Sequence, residues 1–569
     1  MAQRAKRRPT PAKRVAEVFF ARGWKPFKFQ REAWKAYANE ESGLVHAPTG
    51  TGKTYAVWAP TLIEWLEEKG EGVKKAPGLR VLWITPLRAL VQDTTRALSD
   101  LVGELEIPWT IQARTGDTSS SVKAKQRRCY PTALVTTPES LSLLLSYPET
   151  REQFADLKVV IVDEWHELLS TKRGVQTELG LARLRQWNRG LKTWGLSATL
   201  GNLDEALACL VGSGNEGRLI NGDLKKKFVV KTLIPKAIDR LPWSGHLGSR
   251  MVKEVVKAIE QAKTTLVFTN VRSQTEFWFH AIKEERPDWE GEIGIHHGSL
   301  DRADRGEVED RLRTGTIKAV VCTSSLDLGV DFTPVEQVIQ IGGPKGVARL
   351  LQRAGRCGHQ PGAVSKVICV PTQAMEMVEY AAAREAIDAR RMEAREPIRA
   401  PLDLLSQHLV TIALGEAFER DAMLAEVRTA WSYRHLTDEE WQWTIDFVVR
   451  GGSALRAYDQ FRRVIEKEDQ FTVESKPIAK FHRMSIGTIT SDQSMFVKYL
   501  SGKSLGTIEE SFIAKVRPGA NFVFGGQTLT LVRVREMTAW VRKGKGGRGA
   551  VPVWGGGRSP LSSELANGV

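Results

Sequence analysis

The sequence predicts an α/β fold: two tandem parallel-sheet domains, then a helical domain and a β-rich C-terminal region. Three observations predict it. Short apolar, β-rich runs alternate with longer helical segments in two successive series. The texture turns helical near Thr372 and β-like after Phe471. The chain also has 569 residues, and about 100–200 residues per domain gives three to five domains.

The first series is "GLVHAP", "VLWITP", "ALVTTPE", "VVIVDE" and "WGLSAT". The second is "TLVFTN", "IGIHHG", "AVVCTSS", "VIQIGG" and "VSKVICV". Runs that are apolar on both faces and separated by helices suit buried parallel strands. They place one α/β domain at residues 1–210 and a second at 211–372. The stretch "GNEGRLINGDLKKKF", with turn residues and a charge run, is expected to join them. "AMEMVEYAAAREAIDARRMEA", "LDLLSQHLVTIALGEAF" and "EEWQWTIDFVV" predict a helical domain over 373–475. "NFVFGGQTLTLVRVREMTAWV" predicts a β-rich region over 476–569, ending in a Gly-rich basic stretch with little to build a core.

Formal net charge is +15 and the pI is about 9.5. A surplus that large favours a polyanionic partner, nucleic acid first. The five cysteines form no CxxC pair, so neither a disulfide framework nor a zinc cluster is indicated and a reducing cytosol fits. No apolar run is long enough to cross a membrane, and no membrane partner is expected. The start, "MAQRAKRRPTPAKR", has no apolar stretch behind it. It is read as a solvated basic tail, not a secretory signal.

The chemistry begins at "APTGTGKT", Ala47 to Thr54, between an apolar strand and a helical run. Backbone amides of Thr49, Gly50, Thr51 and Gly52 would cradle a β-phosphate. Lys53 would reach the β/γ oxygens, and Thr54 would bind Mg²⁺. Ala47 stands where the strict pattern has glycine. In "VVIVDEWH", Asp163 and Glu164 close a strand. Asp163 would hold Mg²⁺, and Glu164 would orient or deprotonate the attacking water. Trp165 suits packing. His166 would couple this site to "SAT", Ser197 to Thr199. Upstream, Gln30 has an amide able to read adenine, and Phe27 a ring able to cover it, although an exposed glutamine is the plainer expectation.

About three hundred residues later comes "LQRAGRCGHQPG". Arginines that far from the phosphate loop make sense if ATP lies between two domains. Arg353 and Arg356 would then meet the γ-phosphate on closure and stabilise transition-state charge. Gln352 joins the coupling group. In "LDLGVD", Asp327 and Gly329 are expected near the nucleotide.

The ordered set "FQ", "APTGTGKT", "TPLRAL", "TTPES", "DEWH", "SAT", "LVFTNVRS", "TSSLDLGVD" and "QRAGRCGH" resembles a superfamily 2 helicase. "VDEWHELLSTKRGVQ" and "IQIGGPKGVARLLQRAGRCGH" resemble the large helicase-related (Lhr) family, within it the bacterial ligase-associated DNA-damage-response branch. The resemblance implies two RecA-like domains, a winged-helix domain and a further β-rich domain. It implies nucleic-acid-stimulated ATP hydrolysis with Mg²⁺ and 3′-to-5′ movement on single-stranded DNA. A duplex with a 3′ tail is the implied substrate, RNA:DNA hybrids a further one, and a DNA ligase or nuclease a candidate partner. A cytoplasmic, nucleoid-associated bacterial protein is implied. His359 stands where the general pattern ends in arginine, which leaves Arg353 and Arg356 as fingers. The family continues past "WGGGRSPLSSEL", so a chain cut within its last domain is expected.

Candidate strand grippers are Arg88, Thr118 and Thr137 in the first domain, and Asn270, Arg272, His297 and Thr323 in the second. Hydroxyls, amides and arginines hold phosphates without reading sequence. Trp554, set among glycines and basic residues, is a candidate base-stacking platform. Such stacking is worth about 1–3 kcal/mol. Trp540 is the alternative, and Ile486 and Ile489 are candidate wedges. An RNA helicase or ribonucleoprotein remodeller uses the same motor and stays open. A binding protein with a decayed ATPase is disfavoured, because Lys53, Asp163, Glu164, Arg353 and Arg356 are all present.

Overall fold

The computed structural model describes residues 10–69, 73–222, 228–234, 251–327, 335–358, 364–451, 462–487, 494–544, 549–552 and 561–569. The chain divides into two compact units. One takes Met1–Ala47, Gly52–Asp223 and Ala394–Thr488; the other takes Pro48–Thr51, Leu224–Glu393 and Ile489–Val569. Each unit thus joins one parallel-sheet domain to a later module.

In the first unit, seven strands form one parallel sheet. They are β1 (Gly43–His46), β2 (Val81–Ile84), β3 (Ile111–Arg114), β4 (Ala133–Thr136), β5 (Val159–Val162), β6 (Lys192–Ser197) and β7 (Arg218–Asn221). Their order is β3-β4-β2-β5-β6-β1-β7. The strands β2, β4, β5 and β6 are buried along their whole length, as the apolar runs predict. β7 pairs with β1, Gly43 opposite Arg218. It falls inside the expected joint, so the first domain runs past residue 210 to the end of this strand. The basic start also differs from expectation. Pro11–Ala21 is a helix capped by the Thr10 side chain, with Val15 and Phe19 buried.

The three strands β14 (Phe418–Glu419), β15 (Ile465–Lys467) and β16 (Gln470–Thr472) pair in the order β14-β16-β15. With helices Leu402–Gly415, Arg420–Arg428 and Asp438–Arg450 they build the winged-helix region. One apolar core runs from Leu141, Leu145 and Leu179 of the first sheet's helices into Leu405, Leu409 and Tyr433. A buried carboxyl group seals the join: Glu178 accepts from Ser432 N at 2.8 Å and lies 3.0 Å from Ser432 Oγ.

In the second unit, β8 (Phe228–Thr232), β9 (Thr265–Phe268), β10 (Ile293–His296), β11 (Ala319–Cys322), β12 (Gln337–Ile341) and β13 (Ser365–Val370) form a parallel sheet in the order β10-β11-β9-β12-β13-β8. The helix Ala374–Asp388, expected in the third domain, belongs here: Tyr380 and Ala383 lie in this sheet's core. Leu565 of the Gly-rich tail is fully buried in the same core. A five-stranded sheet adds β17 (Ser494–Tyr499), β18 (Ser504–Glu509), β19 (Asn521–Phe524), β20 (Gln527–Arg535) and β21 (Thr538–Lys543), in the order β18-β17-β21-β20-β19. Its core is continuous with Val267, Val321 and Ile339 of the parallel sheet.

Candidate functional site

In the first unit, parallel strands bring their carboxyl ends to one edge. His46 of β1 pairs in register with Ser197 of β6, and Val162 of β5 with Gly195. After β1 the chain turns through Gly50 (φ 74°) and Gly52 (φ 76°) into the helix Lys53–Lys69. Only glycine adopts such angles without strain. Lys53 is buried and its Nζ donates to Ala47 O at 2.8 Å. Thr51 Oγ1 donates to Pro48 O at 2.7 Å. Thr49 and Thr54 are half-buried, on the loop and on the helix's first turn. Gln30 is buried; its Nε2 donates to Gly52 O at 2.9 Å, and its Oε1 accepts from Phe27 N at 2.8 Å. Its amide therefore braces the phosphate loop here, rather than lying free for a base. Phe27 stacks on Phe29, with ring centroids 5.9 Å apart.

Asp163 follows β5. Its Oδ1 accepts from Glu164 N at 2.9 Å, and its Oδ2 lies 3.4 Å from Trp83 Nε1. Glu164 holds a left-handed backbone (φ 46°, ψ 46°). That conformation is costly for a residue with a side chain and clusters at functional sites. The Glu164 carboxylate is buried, and its Oε2 has no hydrogen-bond partner among the described residues. It lies 3.6 Å from His166 Nδ1, which is 3.4 Å from Ser197 Oγ. Thr199 is buried two residues beyond Ser197.

Burial, then the neighbouring Glu164, raises the Asp163 carboxyl above its usual range, and Lys53 opposes this. Burial lowers His166. His46 is pushed down to about 4 by burial, with Lys53 and His166 adding to it. Both rings are therefore neutral at physiological pH.

In the second unit Arg353 is paired within its own domain. Arg353 is 1% exposed and each of its three side-chain nitrogens makes a hydrogen bond. Its Nε donates to Asp327 Oδ1 at 2.7 Å, its Nη2 to Asp327 Oδ2 at 3.3 Å, and its Nη1 to Gln340 Oε1. It also lies 4.9 Å from the centre of the Phe268 ring. This arginine ties the helix Val347–Ala354 to the segment carrying Asp327, where the sequence leads one to expect a finger on the γ-phosphate. Gln352 and Arg356 are buried on the same helix and just after it. Gly329 and His359 lie outside the described residues.

The strand-end candidates separate into two groups. Arg88 and Arg272 are exposed on the first turns of helices Arg88–Glu104 and Arg272–Glu285. Arg88 pairs with Asp117 at 3.0 Å. Thr118 is half-buried and its hydroxyl accepts from Thr115 N at 3.0 Å. Thr323 is 8% exposed at the end of β11. The side chains of Thr137, Asn270 and His297 are turned inward. Thr137 caps the helix Pro138–Leu145. Asn270 Nδ2 donates to Gly343 O at 2.7 Å. His297 is fully buried, with Nε2 3.1 Å from Glu276 Oε1. His297 is therefore a structural ring, since a sheet docked over β10 leaves it no surface. Trp554 and Ile489 lie outside the described residues. Trp540 is half-buried in β21 with Arg533 over its ring at 5.8 Å, and Ile486 is half-buried.

Reading the sequence missed His46, Trp83 and Arg395. His46 carried a signal, since it directly precedes the phosphate loop. Trp83 and Arg395 carried none, because each reaches the site only through folding. Arg395 contributes to lowering His166 electrostatically.

Comparisons with known proteins match the domains along the chain. Residues 27–206 match the DEAD/DEAH box helicase family, and residues 249–360 the helicase conserved C-terminal domain. Residues 385–551 match the large helicase-related protein winged helix domain. The chain is 32% identical over 545 residues to the ATP-dependent helicase Lhr-Core protein 2 of Thermococcus barophilus, covering 92% of this chain and 63% of that protein. It is 28% identical to the Lhr helicase/uracil glycosylase of Escherichia coli, over 98% of this chain and 41% of that one. The solved structure of Mycobacterium smegmatis helicase Lhr bound to ssDNA and AMP-PNP is similar, with 28% identity and a TM-score of 0.75. That match covers 91% of this chain and 68% of the other. The chain thus spans less than two thirds of the length of the archaeal relatives it matches, at 63% and 65% for two of them. With its nucleotide-site motifs, both motor domains and the winged helix matched along its length, the chain belongs to the Lhr family of DEAD/DEAH-box helicases.

Proposed function

We propose that this chain is an ATP-driven translocase and helicase that moves 3′ to 5′ on single-stranded DNA, opens DNA or RNA:DNA duplexes, and serves DNA repair. One observation carries the reading. Lys53, Asp163, Glu164, His166 and Ser197 converge on one edge of the first parallel sheet, on the carboxyl ends of adjacent strands. Ligands of open α/β sheets bind at such edges. The single-stranded DNA and AMP-PNP held by the Mycobacterium smegmatis relative support the choice of substrate. Placement in the bacterial ligase-associated branch rests on "VDEWHELLSTKRGVQ" and "IQIGGPKGVARLLQRAGRCGH".

The residues fit a hard divalent cation. Two adjacent carboxylates sit near Lys53, one raised by burial and the other with a buried oxygen that has no hydrogen-bond partner among the described residues. Thr54 and Asp163 would hold Mg²⁺, which supplies charge neutralisation on the phosphate oxygens. Lys53, released from Ala47 O, would take the β/γ oxygens. Glu164 would accept a proton from the attacking water, with His166 neutral beside it. Arg356 is the remaining described finger candidate.

Steady-state ATP hydrolysis with no polymer, with single-stranded DNA and with single-stranded RNA tests this directly. Strong stimulation by DNA alone is expected, and tailed duplexes then give the polarity. Equal or greater stimulation by RNA would replace the repair reading with a remodeller. Glu164→Gln should lower turnover at least a hundredfold while sparing ATP and strand binding, in line with loss of a general base. Retained turnover removes Glu164 from that role.

A further inference from the structure

The helix Val347–Ala354 carries Arg353 and ends just before Arg356. A helix N-terminus leaves its first amides without intrahelical partners. Gly346, the residue before this helix, has no side chain to cap them. The cap comes from 46 residues downstream. Glu393 accepts from Val347 N through Oε1 and from Ala348 N through Oε2, the latter at 2.8 Å. It is 6% exposed. Its Oε1 also accepts from Ser562 Oγ at 2.8 Å, while Ser562 N donates to Lys345 O at 2.9 Å. A Cβ on Gly346 would come within 2.9 Å of Glu393 Oε1, so glycine keeps the place open.

The chain leaves the second unit after Glu393 and enters the first at Ala394. Two residues on, Arg395 is held as firmly. Its N donates to Asn202 Oδ1 at 2.8 Å, and its O accepts from Asn202 Nδ2 at 3.0 Å. Asn202 lies three residues past Thr199 of "SAT" and precedes the helix Leu203–Val211. The Arg395 charge is felt by His166, next to Glu164. A covalent crossing is thus pinned at one end to the arginine-bearing helix and at the other to the segment behind the carboxylate–histidine edge.

We infer that Glu393 is a positioning residue for the arginine-bearing helix, and that the crossing at Glu393–Ala394–Arg395 passes that helix's position to the carboxylate–histidine edge. The inference rests on the ATPase reading for its kinetic part only. A two-carbon carboxylate reaching both amides fixes the helix end in direction as well as place. A link of one free residue between two clamps has almost no slack.

The test uses the full chain with Glu393→Ala, Glu393→Gln and a two-glycine insertion between Ala394 and Arg395. Amide exchange over Val347–Leu350, AMP-PNP affinity, and ATP turnover with and without oligo-dT are measured. Glu393→Ala should speed exchange there at least tenfold and lower turnover at least tenfold, with AMP-PNP affinity within threefold. Glu393→Gln, which keeps one acceptor oxygen, should fall between. The insertion should leave exchange at wild-type rates yet cost at least tenfold in DNA-stimulated turnover. Exchange within twofold of wild type in Glu393→Ala overturns the positioning role, and full DNA stimulation in the insertion variant overturns the transmission role. A wild-type chain without any hydrolysis defeats the motor reading instead. Unchanged exchange on Glu393→Ala would then overturn the positioning role, and accelerated exchange would uphold it.

Discussion

Arg353 and Asp327 are 1% and 5% exposed and bonded through two nitrogens and two oxygens. Removing one partner strands the other charge away from water. Arg353→Ala should therefore cost about 3–5 kcal/mol, read as a lowered Tm, before any effect on turnover is considered. Arg353→Lys should fare little better, since an ammonium cannot replace the planar fork. A variant that melts like wild type would return Arg353 to the finger role. Glu178 gives a pH signature. Burial pushes its carboxyl up to about 8, against the hydrogen bonds from Ser432 that lower it. The usual value is about 4.3. The folded state therefore holds a proton that the unfolded chain releases, and stability falls as pH rises from about 4.3 to about 8, then levels. Glu178→Gln should flatten that slope, because an amide oxygen still accepts from Ser432 N and its NH₂ suits Ser432 Oγ. Melting curves from pH 5 to 9 check this; identical slopes in both proteins would defeat it.

Segments 299–301 and 505–507 decide how the five-stranded sheet joins its parallel neighbour. Thr507 N donates to Ser299 O at 2.8 Å and Asp301 N to Leu505 O at 2.9 Å. Gly506 sits between them at φ 139°, and a Cβ there would lie 1.9 Å from Ser299 O. The turn between β19 and β20 is tied as well. Gly525 N and Gly526 N donate to the two oxygens of the buried Glu276 carboxylate at 2.6 and 2.9 Å. Gly506→Ala should therefore loosen this seam by roughly 1–3 kcal/mol, seen as faster amide exchange at Asp301 and Thr507 with the first unit unaffected. Exchange at wild-type rates would show that the seam holds by core packing alone. The strand that the joint stretch hides, β7, follows the same lesson. Arg218 and Asn221 are exposed at the two ends of β7, and only Ile220 is buried, because β7 is an edge strand. Buried apolar runs announce central strands and leave edges silent.

At the scale of the whole chain, each motor domain carries its own later module, the winged helix with the first and the five-stranded sheet with the second. The surplus of +15 belongs to this scale too. If strand binding runs through phosphates, log K for oligo-dT should fall with log salt by about 0.7 per contact. Four contacts then give a slope near −2.8. Binding insensitive to salt would mean that the basic surplus serves something else. The sequence by itself determined the two series of buried parallel strands, the phosphate loop, the carboxylate pair and the "SAT" segment. Each is local: a few consecutive residues set strand burial, glycine angles or adjacent carboxylates. Only tertiary structure decided that Gln30 braces the phosphate loop and that Arg353 is spent on Asp327. The same holds for His297, turned to Glu276, and for Glu393, which caps a helix 46 residues behind it. These roles depend on which polar group meets which across tens or hundreds of residues. A buried donor must find its acceptor wherever the folded chain brings one, and residue order alone does not encode that meeting.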